Sequence, residues 1–333
     1  TYFNLFIKKK GISLNGIANG YTTISDFYNE RIFLSNISVK NFELNNEKLG
    51  DLWLNSAFDK NFNRLELNAK TKINDLNIFK LSGFYYPETK ELDFNADFNK
   101  FRLNVIEPYI SNLASDIYGL ASGNIKVSGK LNNPYFLGKI DVQRGSFVIN
   151  YLQTKYSLSD EISITPKGFL FNDIEIYDLH GNKSTVYGFL NHQLFKNMEF
   201  DLTIKPTKFQ LLNTFEKDNP YFYGQAYGSG IVKIYGKPEN VYIDISAITD
   251  KETKIFIPLY GTEEVNQVNF INFISTDTVT EKETEEAANY ETDLSGIQMN
   301  FNLDVTPDAE IQLIFDKKVG DIIKGRGYSD LKL

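Results

Sequence analysis

Along residues 125–151 apolar and polar side chains alternate: Ile125 and Val127 with Lys126 and Ser128, Ile140 and Val142 with Lys139, Asp141 and Gln143, and then Phe147, Ile149 and Tyr151. A period of two marks a strand with one face buried and the other wet. The spacing predicts three strands here, joined by turns at Asn132-Asn133-Pro134 and at Arg144-Gly145, whose residues tolerate or pre-set turn dihedrals. Roughly twenty runs of this kind follow one another along the chain, among them "RLELNAK", "ELDFNADF", "MEFDLTIK", "VYIDISAI" and "AEIQLIF".

Helical periodicity is scarce. In "NVIEPYISNLASDIYGLAS", residues 104–122, Ile106, Ile110, Leu113, Ile117 and Leu120 recur at helical spacing behind Pro108, which suits a first turn; the pattern predicts a short helix near 105–118. A second, shorter candidate is "TKFQLLNTF", residues 207–215. Two short helices cannot roof so many strands. The sheet must fold against itself or leave a face for something that is not protein.

A loose repeat organises the strands. Strand ends at Gly83, Gly129, Gly188 and Gly236 are each followed by a short polar turn and a returning strand, at intervals of 46, 59 and 48 residues. Those intervals are too irregular for a propeller or a tight β-helix and suit an antiparallel sheet that grows one hairpin at a time. Each glycine also reads simply as a bulge or bend. Residues 275–294, "STDTVTEKETEEAANYETDL", carry seven acidic residues against Lys282 alone and predict a solvated, mobile insertion.

Composition narrows the classes. The chain has 333 residues, 42% hydrophobic, with a formal charge of -8, and no Lys/Arg cluster stands out, so nucleic acid is not an expected partner. Zero cysteines remove disulfides, zinc–thiolate sites and thiol nucleophiles together, and suit an oxidising compartment. Residue 1 begins mid-strand and the chain stops in an alternating run at "SDLKL", which reads as a segment of something longer.

Catalytic constellations are poor. His180 and His192 are the only histidines, and neither has a metal-ligand spacing with a second ligand. No nucleophile elbow, P-loop or dinucleotide fingerprint occurs. Asp/Glu pairs are scattered at strand spacing among many carboxylates, as in "DIEIYD", where Asp173, Glu175 and Asp178 could line a glycosidase cleft. No enzyme activity, cofactor or metal is expected.

Four blocks carry a family resemblance: "SGKLNNPYFLGKIDVQRGSFVINYLQTKYSLSDEISI", then "IYDLHGNKSTVYGFLNH", then "IPLYGTEEV" with "VNFINFIS", and finally "VTPDAEIQLIFDKKVGDIIKGRGYSDLKL". In this order they resemble the C-terminal domain of the TamB family, the translocation and assembly module subunit related to AsmA-like proteins. The resemblance runs from about Gly123 to Leu333, so residues 123–333 are expected to be a TamB-like β-trough segment and residues 1–122 an upstream β-repeat region. It implies an all-β fold: a long antiparallel sheet curled into an open trough with an apolar interior, a β-taco, with one or two short helices. It also implies a periplasmic position bridging the inner and outer membranes of a Gram-negative envelope. An N-terminal inner-membrane anchor and a BamA-like (TamA-like) outer-membrane barrel partner belong to that picture, the anchor being absent from this chain. The implied function is bridge-like transfer of phospholipid acyl chains along a hydrophobic groove; the alternative is outer-membrane protein assembly, in which a sheet edge pairs with the barrel or with a client strand.

The expected lining is the alternating apolar set of successive strands. It comprises Val127, Ile140, Val142, Phe147 and Ile149; Phe200, Leu202 and Ile204; Ile243, Ile245 and Ile257; and Phe301, Leu303, Ile311 and Leu313. The same residues would serve equally as the core of a closed sandwich. About twenty strands in single file at about 4.8 Å each would span roughly 100 Å.

Overall fold

The computed structural model describes residues 13–25, 32–111, 113–194, 196–259, 297–316 and 319–332. They form one sheet of twenty strands. The first six are β1 (Leu14–Ser25), β2 (Ile32–Leu44), β3 (Glu47–Asp59), β4 (Arg64–Ile73), β5 (Leu76–Tyr86) and β6 (Glu91–Arg102). After a single turn of 3-10 helix (Leu103–Ile106) and one of α-helix, α1 (Glu107–Ile110), come β7 (Ala114–Lys130), β8 (Asn133–Ile149), β9 (Thr154–Thr165), β10 (Gly168–Tyr177) and β11 (Lys183–Gln193). The remainder are β12 (Lys196–Pro206), β13 (Phe209–Thr214), β14 (Tyr223–Lys237), β15 (Asn240–Thr249), β16 (Lys254–Pro258), β17 (Ile297–Val305), β18 (Glu310–Asp316), β19 (Asp321–Gly325) and β20 (Ser329–Lys332).

From β1 to β12 each strand pairs antiparallel with the next. Beyond that, β12 and β13 lie end to end along β14, β15 and β16 lie along its other side, and β17 and β18 follow on β15 and β16. Among the described residues β1 pairs only with β2 and β20 only with β17, so the sheet does not close. Because four pairs of short strands share a tier, twenty strands make sixteen tiers, spanning about 70 Å rather than 100 Å. One step is parallel: β15 on β17 and β16 on β18. A parallel pair needs a long return connection, and residues 259–296 supply it. The acidic run expected as a mobile insertion at 275–294 belongs to that connection and lies outside the described residues.

Three sequence expectations are corrected. The helix near 105–118 is helical only from 103 to 110; from Ala114 the chain is the seventeen-residue β7, paired on both sides. Two full ladders outweigh a local helical spacing interrupted by Gly119, Gly123 and several Ser and Asp residues. The candidate helix at 207–215 is β13, held as a strand by its antiparallel ladder with β14. The turn at Arg144-Gly145 is a bulge inside β8, where the register slips between Val142 and Gly145. The boundary expected after residue 122 falls inside β7, and the ladder runs through it unbroken.

That bulge is one of a series. Registers slip between Val39 and Phe42 in β2, Phe98 and Phe101 in β6, Val142 and Gly145 in β8, and Phe171 and Ile174 in β10. Left-handed residues stand at Asn41, Lys100, Arg144 and Asp173 in these bulges, and at Lys208 in the β12–β13 corner. A non-glycine residue there costs about 1 kcal/mol and frees an amide from the ladder. The neighbouring strand answers with a side chain: Asp51 Oδ1 accepts from Asn41 N (3.0 Å), and the hydroxyls of Ser122, Ser159 and Ser229 accept from Lys100, Arg144 and Lys208 N (2.9 Å each). From β6 to the β12–β13 corner the bulges fall close together on nearby strands, so their bends add and the sheet folds into a trough. On its concave side Gly188 sits at φ 122°, where a Cβ would lie 1.9 Å from the Asp201 carbonyl oxygen; only glycine fits that approach.

Candidate functional site: the apolar concave face

The paired registers fix which side chains share the concave face. Phe94 in β6 lies opposite Val127 in β7, Val127 opposite Phe136 in β8, and Ile140 opposite Ile162 in β9. The same row continues from Phe169 to Leu190 to Phe200, and Leu202 in β12 reaches Ile243 in β15 through Ile234 in β14. Every expected lining residue falls on this face by register. Most are half-buried; Val142 (4% exposed), Phe200 (8%) and Ile243 (9%) are buried and act as wall. Ile257 lies opposite Leu313 and Ile255 opposite Ile311, while Ala247 lies opposite Leu303. Phe301 is opposite Ile245 by backbone register, and its side chain is outside the described residues.

The concave face has two halves. Beyond the bulges, toward the turns at 150–153 and 178–182, Tyr156, Ile174, Ile176 and Phe209 form a packed cluster with Phe147, Ile149, Leu158, Phe171, Val186 and Leu211. The Phe209 ring stacks on Tyr156 at 4.9 Å, and Tyr156 Oη donates to Gln210 O at 2.9 Å, so β13 closes over the ends of β9 and β10. Burial pushes the Tyr156 hydroxyl far above its ordinary range. On the other half, between the bulges and the opposite turns, Ile140, Ile162, Phe169, Leu190, Leu202, Ile204, Ile234 and Ile245 remain half-exposed, and no second layer covers them among the described residues. Phe147 and Ile149 therefore pack against the buried cluster, whereas Ile140, Leu202, Ile204 and Ile245 lie outside it on the other half of the concave face.

The upstream strands carry a stretch of the face that sequence reasoning missed. Leu54 lies opposite Ala69, Leu67 opposite Gly83, Leu81 opposite Ala96, and Phe79 packs on Phe98 with ring centroids 5.3 Å apart. The signal was present in the alternation of "RLELNAK" and "ELDFNADF".

The residues flagged for chemistry are scattered. Asp178 is buried at a corner, where Oδ1 accepts from His180 N and Asn182 N (2.9 Å each) and Oδ2 from Asn182 Nδ2 (2.9 Å) and Gln210 N (3.0 Å). Burial opposes its charge, yet these donors outweigh it and hold the carboxyl below its ordinary value. Glu175 is taken by Lys183 and Tyr177, and Asp173 by Tyr187 at 2.6 Å. His180 Nε2 lies 3.1 Å from Tyr227 Oη, which accepts from Gln210 Nε2 at 3.1 Å. His192 lies against Phe169, ring centroids 5.1 Å apart, and burial lowers its pKa.

Residues 172–333 match the family model of the TamB C-terminal domain. The match begins some way downstream of Gly123 and takes in β11 to β20. No curated protein and no solved structure matches the chain.

Proposed function

Because the chain belongs to the TamB family, through the C-terminal domain matched over its residues 172–333, we propose that its concave face carries lipid acyl chains between the two membranes of the cell envelope, in which proteins of this family act. The observation that carries the reading is the half-exposed apolar strip running across successive tiers of an unclosed sheet. An acyl chain of about sixteen carbons loses roughly 0.8 kcal/mol of stability per methylene in water, so a bare tail crossing the gap faces on the order of 12 kcal/mol. A greasy strip about 70 Å long removes most of that barrier without a reactive group. The site of action is periplasmic in this reading. No helix among the described residues is long and apolar enough to cross a membrane.

The strip also says where to block it. Val142 is an unsuitable place, because a carboxylate there is buried opposite Asp160 and destabilises the wall itself. Leu202 and Ile245 are half-exposed. Leu202→Asp and Ile245→Asp are expected to leave the protein folded and to stop lipid cross-linking to tiers beyond the substitution; unimpaired passage in the folded variants would contradict the conduit.

A second reading, assembly of outer-membrane proteins by edge pairing with a BamA-like barrel, draws on β1. Its twelve residues carry no charge, and Ile17 and Tyr21 are 69% and 67% exposed along an edge that is unpaired among the described residues. Charged substitutions at those two positions that abolish client assembly while lipid passage persists favour this reading over the conduit.

A further inference from the structure

The groove has two unlike rims. Consecutive antiparallel strands place alternate turns at the same end, so the hairpins β3–β4, β5–β6, β7–β8, β9–β10, β11–β12 and β14–β15 all turn on one rim. Hydrogen bonds tie these turns together: Asn63 Nδ2 donates to Glu88 Oε1 (2.5 Å), Leu131 N to Lys90 O (2.8 Å), His192 N to Lys167 O (2.9 Å) and Gln193 Nε2 to Asn133 Oδ1 (2.6 Å).

Each of the six hairpins carries an exposed lysine in or beside its turn: Lys60, Lys90, Lys130, Lys167, Lys196 and Lys237. Two tiers separate one from the next, so cations recur about every 10 Å along the rim. None of the six forms an ion pair among the described residues. Lysines on the convex strand faces are different: Lys126 meets Asp93 at 3.3 Å, Lys139 meets Glu161 at 2.6 Å, and Lys254 meets Glu310 at 3.5 Å. The turns beside Lys130, Lys167 and Lys196 hold no carboxylate of their own, with Glu91 facing Lys130 from the neighbouring strand, while Asp59, Glu88 and Glu239 stand near Lys60, Lys90 and Lys237 and Asp59 is taken by Arg64 at 3.4 Å. On the opposite rim Lys48, Lys72, Lys155, Lys183 and Lys217 stand in or beside the turns, but so do Glu47, Asp75, Glu107, Asp178, Glu216 and Asp218; Arg102 meets Glu47 there at 2.7 Å and Lys183 meets Glu175, so the cations of this rim are offset by carboxylates. The overall charge of -8 makes an unpaired cationic line more notable still.

The half-exposed apolar strip adjoins the lysine rim, and the packed cluster around Phe209 adjoins the opposite one, whose charges are balanced. We infer that the lysine rim takes the phosphate headgroup of a phospholipid whose tails lie in the strip, so that each lipid rides with its headgroup over this rim and is turned away from the other. A lysine stem is long enough to lay its methylenes on apolar surface and hold the ammonium in water, where phosphate waits. The inference rests on the groove carrying acyl chains and adds which lipids it prefers and how they are oriented.

The test loads the protein from vesicles containing phosphatidylglycerol or the phosphate-free diacylglycerol with the same tails, and counts bound lipid by native mass spectrometry at low and at high salt. Lys130→Gln, Lys167→Gln and Lys196→Gln, singly and combined, are compared with Lys126→Gln, Lys139→Gln and Lys254→Gln on the convex face. About fivefold per rim lysine is the upper range at low salt, weakening as salt screens the rim. The combined rim variant is expected to lose phosphatidylglycerol by about tenfold or more while diacylglycerol loading stays level, and the convex-face set is expected to change neither. A photoreactive headgroup is expected to label a probe at Asn132 and not one at Asn46, on the other rim. Unchanged phosphatidylglycerol loading in the rim variants, an equal loss in the convex-face set, or equal labelling of both rims overturns the rim assignment and leaves the groove standing. Failure of the parent protein to take up either lipid instead removes the groove, and the rim with it.

Discussion

Phe209 and Leu202 both present an apolar side chain to the concave face, but they do different work. Phe209 is 1% exposed and stacked on Tyr156, so Phe209→Ala opens a cavity and is expected to cost about 3–5 kcal/mol in chemical denaturation. Leu202 is half-exposed, and Leu202→Ala is expected to cost well under half of that, since little of what it loses was packed. Equal losses would mean that the strip is core and not groove. Asp178 gives a pH test. Its folded pKa lies below the ordinary 3.8, so it binds its proton more readily when unfolded; the stability it adds is present above that value and is lost as pH falls through and below it. Asp178→Asn is expected to lower stability at neutral pH by about 2–3 kcal/mol, by leaving buried donors without a charged acceptor, and to flatten the fall in melting temperature between pH 5 and pH 3. Part of the acid slope remains, because Glu310 is held down to about 2 by Gln312 and Arg326. None of this was legible in sequence: "YDLHGNKS" shows an aspartate near a turn, and only the fold brings Gln210 to it from β13.

At the scale of the element, alternation was a reliable guide to strands and an unreliable one to where they end. In β8 the inward residues are even at Ile140 and Val142 and odd at Phe147 and Ile149; in β10 they are odd at Phe169 and Phe171 and even at Ile174 and Ile176. A change of parity reads as a turn when Arg-Gly stands between, yet here one strand continues through a bulge. A turn would be followed by a hairpin register with the preceding strand, whereas both halves of β8 pair with β7 and β9. The parallel step was invisible because nothing local distinguishes parallel from antiparallel partners. It sets a length limit on the connection. Residues 259–296 must return across β15 and β16, at most about 50 Å, which takes about fifteen extended residues. Deleting 277–292 leaves twenty-two and is expected to shift the melting temperature little. Shortening the connection to about ten residues is expected to detach β17 to β20, read as lost hydrogen-exchange protection in those strands with β1 to β12 unaffected.

For the molecule as a whole, the all-β class followed from the period-two pattern and the open trough from the resemblance, whereas the pattern alone did not choose between sandwich and trough. Both bury alternate residues; they differ in whether a second layer arrives, and that depends on the bends. Serine hydroxyls and an aspartate catching bulge amides make the bends, one strand away and at no fixed sequence offset. What results is a sheet whose concave face is packed on one half and open on the other. The central claim is that the open half holds lipid, and the most direct measurement is photo-cross-linking in cells with a probe moved one residue at a time across the sheet. The account predicts lipid adducts at Leu67, Ile140, Leu202 and Ile245, in four separated tiers, and none at Glu66, Asp141, Asp201 and Asp244 beside them on the convex face. Adducts on both faces alike, or adducts missing from the inward positions of any of those tiers, would contradict it.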